Sequence, residues 1–420
     1  MARKMKDSGI EWIGEIPEGW EIKYFVQLFS QVKNKNIGLR EKNLLSLSYG
    51  KIKQKSIETV GGLLPDNFEG YNIIDRNDIV LRLTDLQNDQ HSLRVGLSPE
   101  RGIITSAYCS IRVRGAESPN YLYYYLHTFD IAKGFYGMGS GVRQGLSWDG
   151  LKYIKILLPP QHEQDRISVF LNQKTLEIDS ILSKTISSIE EYKKLKQTVI
   201  TQAVTKGVRG EREMKDSGVE WIGEIPVDWT IQRFARVAEV KSNLVSPDNY
   251  LEYPQISPEN IEKDSGKLLL PCKTVGEVGI ISGNHLFYKG QILYSKIRPK
   301  LNKVCIAPFD GLCSADMYPI ETNNDTRYIM YCILSNGFLQ QVSMITENRV
   351  KMPKVNQVEL SKILVAIPET IAEQTEIADY LDAKCAEIDG LIAKKDQLVK
   401  ELESYKKSLI YEVVTGKREV

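Results

Sequence analysis

The sequence predicts a mixed α/β (α+β) protein: two globular domains separated by two long antiparallel helices, organised as a pseudo-twofold, circular repeat. Three observations carry this reading. Residues 5–17 read MKDSGIEWIGEIP and residues 214–226 read MKDSGVEWIGEIP, so thirteen residues occur twice with one change, Ile10 against Val219. A long helical pattern closes each half. Between these repeated ends lie two blocks of nearly equal length and little similarity.

The repeat extends beyond its first thirteen residues. At an offset of 209, Trp20 and Phe25 fall on Trp229 and Phe234. At an offset of 210, Glu163, Gln164, Ile167, Leu171 and the run Glu177, Ile178, Asp179 fall on Glu373, Gln374, Ile377, Leu381 and Glu387, Ile388, Asp389. At 420 residues the chain exceeds the ~250–300 at which a single core stops growing, so two globular units are expected. The resulting boundaries are 1–158 and 210–366 for the domains with their opening repeats, and 159–209 and 367–420 for the helices.

Residues 163–206 contain neither Pro nor Gly, and Ile178, Ile181, Tyr192, Leu195 and Val199 recur at helical steps. In the second copy Ile388, Leu391, Leu398, Leu402, Tyr405 and Leu409 do the same, a coiled-coil-like seam that Thr185, Ser188 and Lys395 interrupt. Pro160 and Pro368 precede the helices, and Gly207 and Gly416 supply C-terminal stops. About 44 residues at ~1.5 Å each make a rod near 66 Å. The string VTKGVRGEREMKDSG at 204–218 is nearly reproduced by joining VTGKREV at 414–420 to MARKMKDSG at 1–9, which predicts a circular arrangement with the two ends close together.

The variable blocks carry short β-branched runs of strand length, at 78–82, 103–105, 110–113 and 291–294, and apolar helical runs at 121–126 and 328–334. Composition is that of an ordinary folded protein, 42% hydrophobic and 26% charged. No window approaches the roughly 18 apolar residues of a membrane span, so no membrane partner is expected and the expected location is cytoplasmic. Six cysteines without a CxxC pair and four histidines argue against a zinc site or a disulfide framework.

Catalytic signatures are sparse. Residues 135–139, FYGMG, fit the F-x-G-x-G string of S-adenosylmethionine-binding methyltransferases, but they follow a Tyr-rich helical run and open no helix. The sole Pro-Pro, Pro159 and Pro160, lacks the flanking residues that bind and stack a flipped base. No phosphate-binding G-x-x-x-x-G-K-[ST], triad or metal cluster is apparent, so no catalytic residue, cofactor or metal is expected in this chain. What remains is basic residues interleaved with amides, which suit phosphate and base-edge contact. These are Lys296, Arg298, Lys300, Asn302 and Lys303; Asn348, Arg349 and Lys351; Arg143 and Gln144 in the corresponding loop; and a weaker patch of Lys33, Lys35 and Arg40. Arg82, Arg94, Arg112 and Arg114 suit strand-edge charges equally well.

The doubled IEWIGEIPxxW-type opening (10–20) and the doubled helix with Glu-Gln-x-x-Ile, Leu and Glu-Ile-Asp resemble the DNA-specificity (S) subunit of type I restriction-modification enzymes, over essentially the whole chain. The resemblance implies two target-recognition domains, each reading one half of a split, asymmetric double-stranded DNA sequence. It also implies two modification subunits carrying S-adenosylmethionine and adenine methyl transfer, and restriction subunits using ATP and Mg for translocation and cleavage. The variable blocks would then be the readers, and a rod of ~66 Å suits half-sites one to two DNA turns apart. Two other readings compete: a stand-alone DNA methyltransferase, which cofactor binding by the isolated chain would reveal, and a coiled-coil scaffold without DNA contact, which lacks salt-dependent DNA binding.

Overall fold

A computed structural model describes residues 3–56, 67–86, 89, 93–136, 138, 145–349 and 353–420. The chain divides into two compact units, Met1–Thr185 with Gln397–Val420, and Ile186–Asp396. Each long helix therefore belongs to both. The first, Gln161–Lys206, gives its opening half to one unit and its end to the other; the second, Ile371–Val414, does the reverse.

Within each unit the repeated residues build the same scaffold in the same register. Met5 pairs with Pro17 and Asp7 with Glu15, as Met214 pairs with Pro226 and Asp216 with Glu224. Strand Glu21–Tyr24 pairs antiparallel with Lys155–Leu158, and Thr230–Arg233 with Leu364–Ile367. These pairs keep the offset of 209, whereas Glu163 and Glu373 stand at 210. The extra residue thus lies between strand and helix, where 159–160 in one copy face 368–370 in the other. A loop absorbs it without displacing a strand face or a helix stripe.

The inserts share a body of two four-stranded sheets. In the first unit Phe29–Gln31, Cys109–Val113, Ile79–Leu81 and Val95–Leu97 form one sheet; Glu239–Val240, Met317–Glu321, Ile292–Ser295 and Val304–Ile306 repeat it in the second. In the other sheet Gly102–Ile104 lies parallel to Leu44–Ser48 and antiparallel to Asn72–Ile74, matched by Gly311–Cys313 with Gln255–Ile256 and Asn284–Phe287. Here the units differ. The first adds Lys51–Lys55 as an outer strand beside Leu44–Ser48, and the second adds Leu244–Val245 on the opposite edge. Ile79–Leu81 is buried at every position, which is why it reads as an unbroken apolar run.

The core helices also correspond. Ser118 caps Pro119–Ile131 through a bond from the Tyr121 amide, and Asp325 caps Thr326–Leu334 through bonds from the Arg327 and Tyr328 amides. Buried Tyr121 donates its hydroxyl to the carbonyls of Leu157 and Val414; Tyr328 does the same to Ala366 and Val204. One phenol thus ties the core helix to the adjoining strand and to the end of a long helix in each unit.

The doubled Glu-Gln and Glu-Ile-Asp strings are the residues that close each unit. Glu163 accepts the indole N–H of buried Trp20 at 3.0 Å and bonds Arg3 at 2.6 Å. Glu373 accepts from Trp229 at 3.2 Å and Arg212 at 2.5 Å. The neighbouring Gln164 and Gln374 each accept the backbone N–H of a helix cap, Ser118 at 2.9 Å and Asp325 at 3.0 Å. Asp179 pairs with Lys406 at 2.6 Å and Asp389 with Lys196 at 2.9 Å, joining antiparallel helix segments within each unit.

The seam differs by register from the sequence expectation. Ile181, Leu195, Leu398 and Tyr405 are exposed. Along the first helix Leu171, Thr175, Ile178, Thr185, Ile189 and Lys196 are buried, so Thr185 belongs to the seam rather than interrupting it. Lys196 is tolerated there because Asp389 neutralises it, and Lys395 lies over the Tyr192 ring at 5.6 Å. At the helix ends Gly207 and Gly416 adopt φ of +77° and +74°, as expected of C-terminal stops; a Cβ on Gly416 would lie 2.4 Å from Pro17.

Burial alone would raise the Glu163 carboxyl, but bonds from Arg3 and Trp20 hold it below the ordinary glutamate value of 4.5. A depressed carboxylate stabilises above its unfolded pKa, and that stability is lost as pH falls through the folded value. Glu163→Gln is expected to cost about 1–3 kcal/mol at neutral pH, with the deficit shrinking below about pH 4. Thermal unfolding across that range checks this; a deficit independent of pH would show that the ionic part contributes nothing.

Candidate nucleic-acid interface

In the second unit, residues 296–303 connect strands Ile292–Ser295 and Val304–Ile306 through a short 3₁₀ turn, Pro299–Leu301. The turn is bracketed by two left-handed residues, Arg298 at φ 46° and Asn302 at φ 40°. Such backbone costs ~1–2 kcal/mol per non-glycine residue and persists where surroundings impose it. Here the Arg298 amide donates to Pro353 O at 2.9 Å and the Val355 amide to Lys296 O at 2.9 Å. The candidate basic turn is therefore held by the chain that follows the second candidate segment, Asn348 and Arg349.

The five candidates on this turn separate. Asn302 is a correction: its side chain is buried and donates to Leu334 O at 3.3 Å, so it secures the left-handed turn instead of facing solvent. Lys303 donates to Pro258 O at 2.6 Å, and Lys296 lies over the Tyr318 ring at 5.2 Å. Arg298 and Lys300 are exposed. Lys300 lines an open cavity with Trp221, Gln340, Ser343 and Met344, flanked by Glu220 and Glu347.

Arg349 is engaged with Glu359 at 2.5 Å and with the Lys354 carbonyl, and its hydrogen bond holds the Glu359 carboxyl below the usual range. Its guanidinium closes its own loop. Asn348 is exposed; Lys351 lies outside the described residues, as do Arg143 and Gln144.

In the first unit Lys35 donates to Gly70 O at 2.8 Å, and Arg40 donates to Ile37 O and Lys35 O, while Lys33 is exposed. Arg112 is committed to Asp78 at 2.7 Å and Asp75 at 2.6 Å, bonds that raise its pKa, the Asp78 bond foremost. Arg94 is fully buried and donates to the carbonyls of Arg82, Thr84, Asp85 and Asp89 and to the Tyr136 hydroxyl, so it organises a loop from within.

Sequence reasoning passed over one basic group. Lys51, Lys53 and Lys55 alternate along strand Lys51–Lys55, and all three are exposed. The signal was available in the K-x-K-x-K spacing after a Tyr-Gly turn.

Other titratable groups offer little chemistry. Burial pushes Cys109 up to about 11 and Cys305 up to about 12, lowers His127 to about 4 with help from Lys406 and Lys407, and raises Asp130 to about 6. Among the described residues no cluster of three or more metal-ligating side chains occurs. Of the F-x-G-x-G string, Phe135 packs edge-on against Phe129 at 4.8 Å, and Gly137 and Gly139 lie outside the described residues.

Residues 226–401 match the family model of the type I restriction modification DNA specificity domain. The specificity subunit of the type I restriction enzyme EcoDI from Escherichia coli is 33% identical over 278 residues, covering 63% of this chain and 62% of that one. The chain is thus similar to type I restriction-modification specificity subunits, by the family model over residues 226–401 and over 62% of the length of the EcoDI subunit. The MjaVIII specificity subunit of Methanocaldococcus jannaschii is 22% identical over 96% of this chain and 93% of its own. A chain from a structural study of complex assembly in the type I R-M system is 14% identical, with a TM-score of 0.69 covering 96% of this chain and 99% of that one. The HsdS subunit from Thermoanaerobacter tengcongensis, also 14% identical, gives 0.51 over 96% and 98%. Both likenesses are of fold.

The geometry separates structural from surface roles within one turn. Asn302→Ala is expected to destabilise the second unit by roughly 1–3 kcal/mol, through the lost bond and the left-handed backbone. Lys300→Gln should stay within about 0.5 kcal/mol of the parent. Thermal unfolding of both variants checks this, and equal losses would contradict the assignment.

Proposed function

We propose that the chain reads a split, asymmetric double-stranded DNA target, one half-site per unit, as the specificity subunit of a type I restriction-modification complex. The supporting observation is a contrast inside each unit. The repeated residues form scaffold contacts in the same register twice, and the basic turns and edge strands that could meet DNA sit on the inserts that differ. Two surfaces of different chemistry on two equivalent scaffolds suit two different half-sites.

Exposed Arg298 and Lys300 offer, respectively, a planar fork of donors and a compact cation, the groups that contact base edges and phosphates. In this reading the chain performs no catalytic step and binds no cofactor of its own. Two modification subunits dock on the doubled scaffold and bring S-adenosylmethionine for adenine methylation, and restriction subunits bring ATP- and Mg-dependent translocation and cleavage. The complex works in the cytoplasm, where its DNA is. Among the described residues, no helix is long and apolar enough to cross a membrane.

The test is single-molecule mapping of methylated adenines in the source genome, with and without the gene. Loss of one split, asymmetric motif on deletion is the expected result. Methylation that disappears at a continuous, palindromic motif would instead favour a stand-alone methyltransferase.

A further inference from the structure

The hairpin formed by strands Leu44–Ser48 and Lys51–Lys55 has no full counterpart in the second unit, where the matching edge carries only an isolated antiparallel bridge between Pro254 and Thr274 among its described residues. Its sequence, LLSLSYGKIKQK at 44–55, contains three lysines and no acidic residue. Ser48 pairs with Lys51, leaving Tyr49 and Gly50 as a two-residue turn with φ of 47° and 75°. A turn of this kind asks for Asn-Gly or Gly-Gly, and a bulky Tyr in left-handed backbone is costly. The ring gains nothing from burial in return, being 77% exposed at the tip. An aromatic kept in an unfavourable conformation and in water points to a contact outside the chain.

The lysines are arranged to go with it. Period-two alternation puts Lys51, Lys53 and Lys55 on one side of the strand, opposite Ile52, which packs against the small core of Leu45, Ile74 and Val80. Lys51 bonds Asp179 of the first long helix at 2.9 Å, and the same carboxylate holds Lys406 at 2.6 Å. Lys51 is thereby an anchor that fixes the strand against the helices of its unit. Lys53 and Lys55 are exposed, and no carboxylate among the described residues forms a salt bridge with them. Residues two apart on a strand are ~6.8 Å apart, a separation that lets two lysines reach different phosphates of one DNA strand, which carries one charge per ~3.4 Å of helix axis.

We propose that this hairpin is a DNA-backbone clamp: Lys53 and Lys55 each neutralise a phosphate of one strand, and Tyr49 packs on the adjacent sugars. The contact carries register and affinity, not base identity. The proposal rests on the DNA-reading function above and adds a site to it.

The full chain, assembled with its modification subunits, is titrated with target and scrambled duplexes between 50 and 200 mM salt. Replacing Lys53→Gln and Lys55→Gln together should lower the salt slope by about 1.8, so that the ratio of parent to variant affinity shrinks about twelve-fold across that range. Preference for target over scrambled DNA should be unchanged. Tyr49→Asn, which suits the turn, should weaken binding without altering the slope. An unchanged slope in the double variant overturns the clamp. Failure of that variant to assemble, seen by size-exclusion chromatography, with unchanged DNA binding by the chain alone, also overturns it and marks the hairpin as a protein contact. If the parent complex itself shows no preference for target DNA, the DNA-reading function has failed, and the clamp with it.

Discussion

A single carboxylate near the start of each long helix organises the unit around it. Glu163 takes the indole N–H of Trp20 and the guanidinium of Arg3, and the adjacent Gln164 holds the cap of the core helix. Glu373 and Gln374 repeat this with Trp229, Arg212 and Asp325. Opening segment, core helix and long helix meet at two consecutive side chains. Removing either acid leaves a buried indole donor without an acceptor, and removing Glu163 also leaves Arg3 without its carboxylate, whereas Arg212 keeps Asp228. The Tyr hydroxyls and the Asp–Lys pairs then fasten the end of the other long helix to the same unit.

This explains why the same residues are written twice. The repeat closes each unit with a start from one helix and an end from the other, so the two copies must offer interchangeable partners: Lys196 and Lys406 for the aspartates, Val204 and Val414 for the phenols. The inserts are free of that requirement. They need to keep the core helix whose cap and phenol bind the long helices, and elsewhere one unit carries a lysine hairpin and the other a strained basic turn. Under the proposed function, recognition varies on a scaffold that does not.

Much of the fold was legible because it rests on local signals. Uninterrupted helical pattern, glycine stops, apolar helical runs and β-branched runs each appear where the sequence puts them. The seam register was not, because polarity was taken to mean exposure: Thr185 and Lys196 are buried, and Ile181 and Leu195 face water. A lysine paired across helices looks like a surface residue until its aspartate is placed. The candidate interface was legible only as composition. Charge density identified the 296–303 turn, but which of its side chains face outward depends on left-handed backbone at Arg298 and Asn302, and no periodicity forecasts that. Arg349, a candidate for DNA contact by sequence, is engaged with Glu359. The lysine strand at 51–55 is visible in the sequence only as a period-two alternation spread over five residues, a weaker signal than the dense cluster at 296–303.

The central claim is that the inserts read and the repeats hold. It is tested most directly by replacing residues 26–150 with the corresponding block of a similar specificity subunit that keeps the capped core helix, leaving the repeated opening segments and both long helices in place, and mapping the adenines that become methylated. One half of the motif should change while the other half and the spacing between them stay as they were. A motif altered in both halves, or in its spacing, would contradict the separation of reader from scaffold.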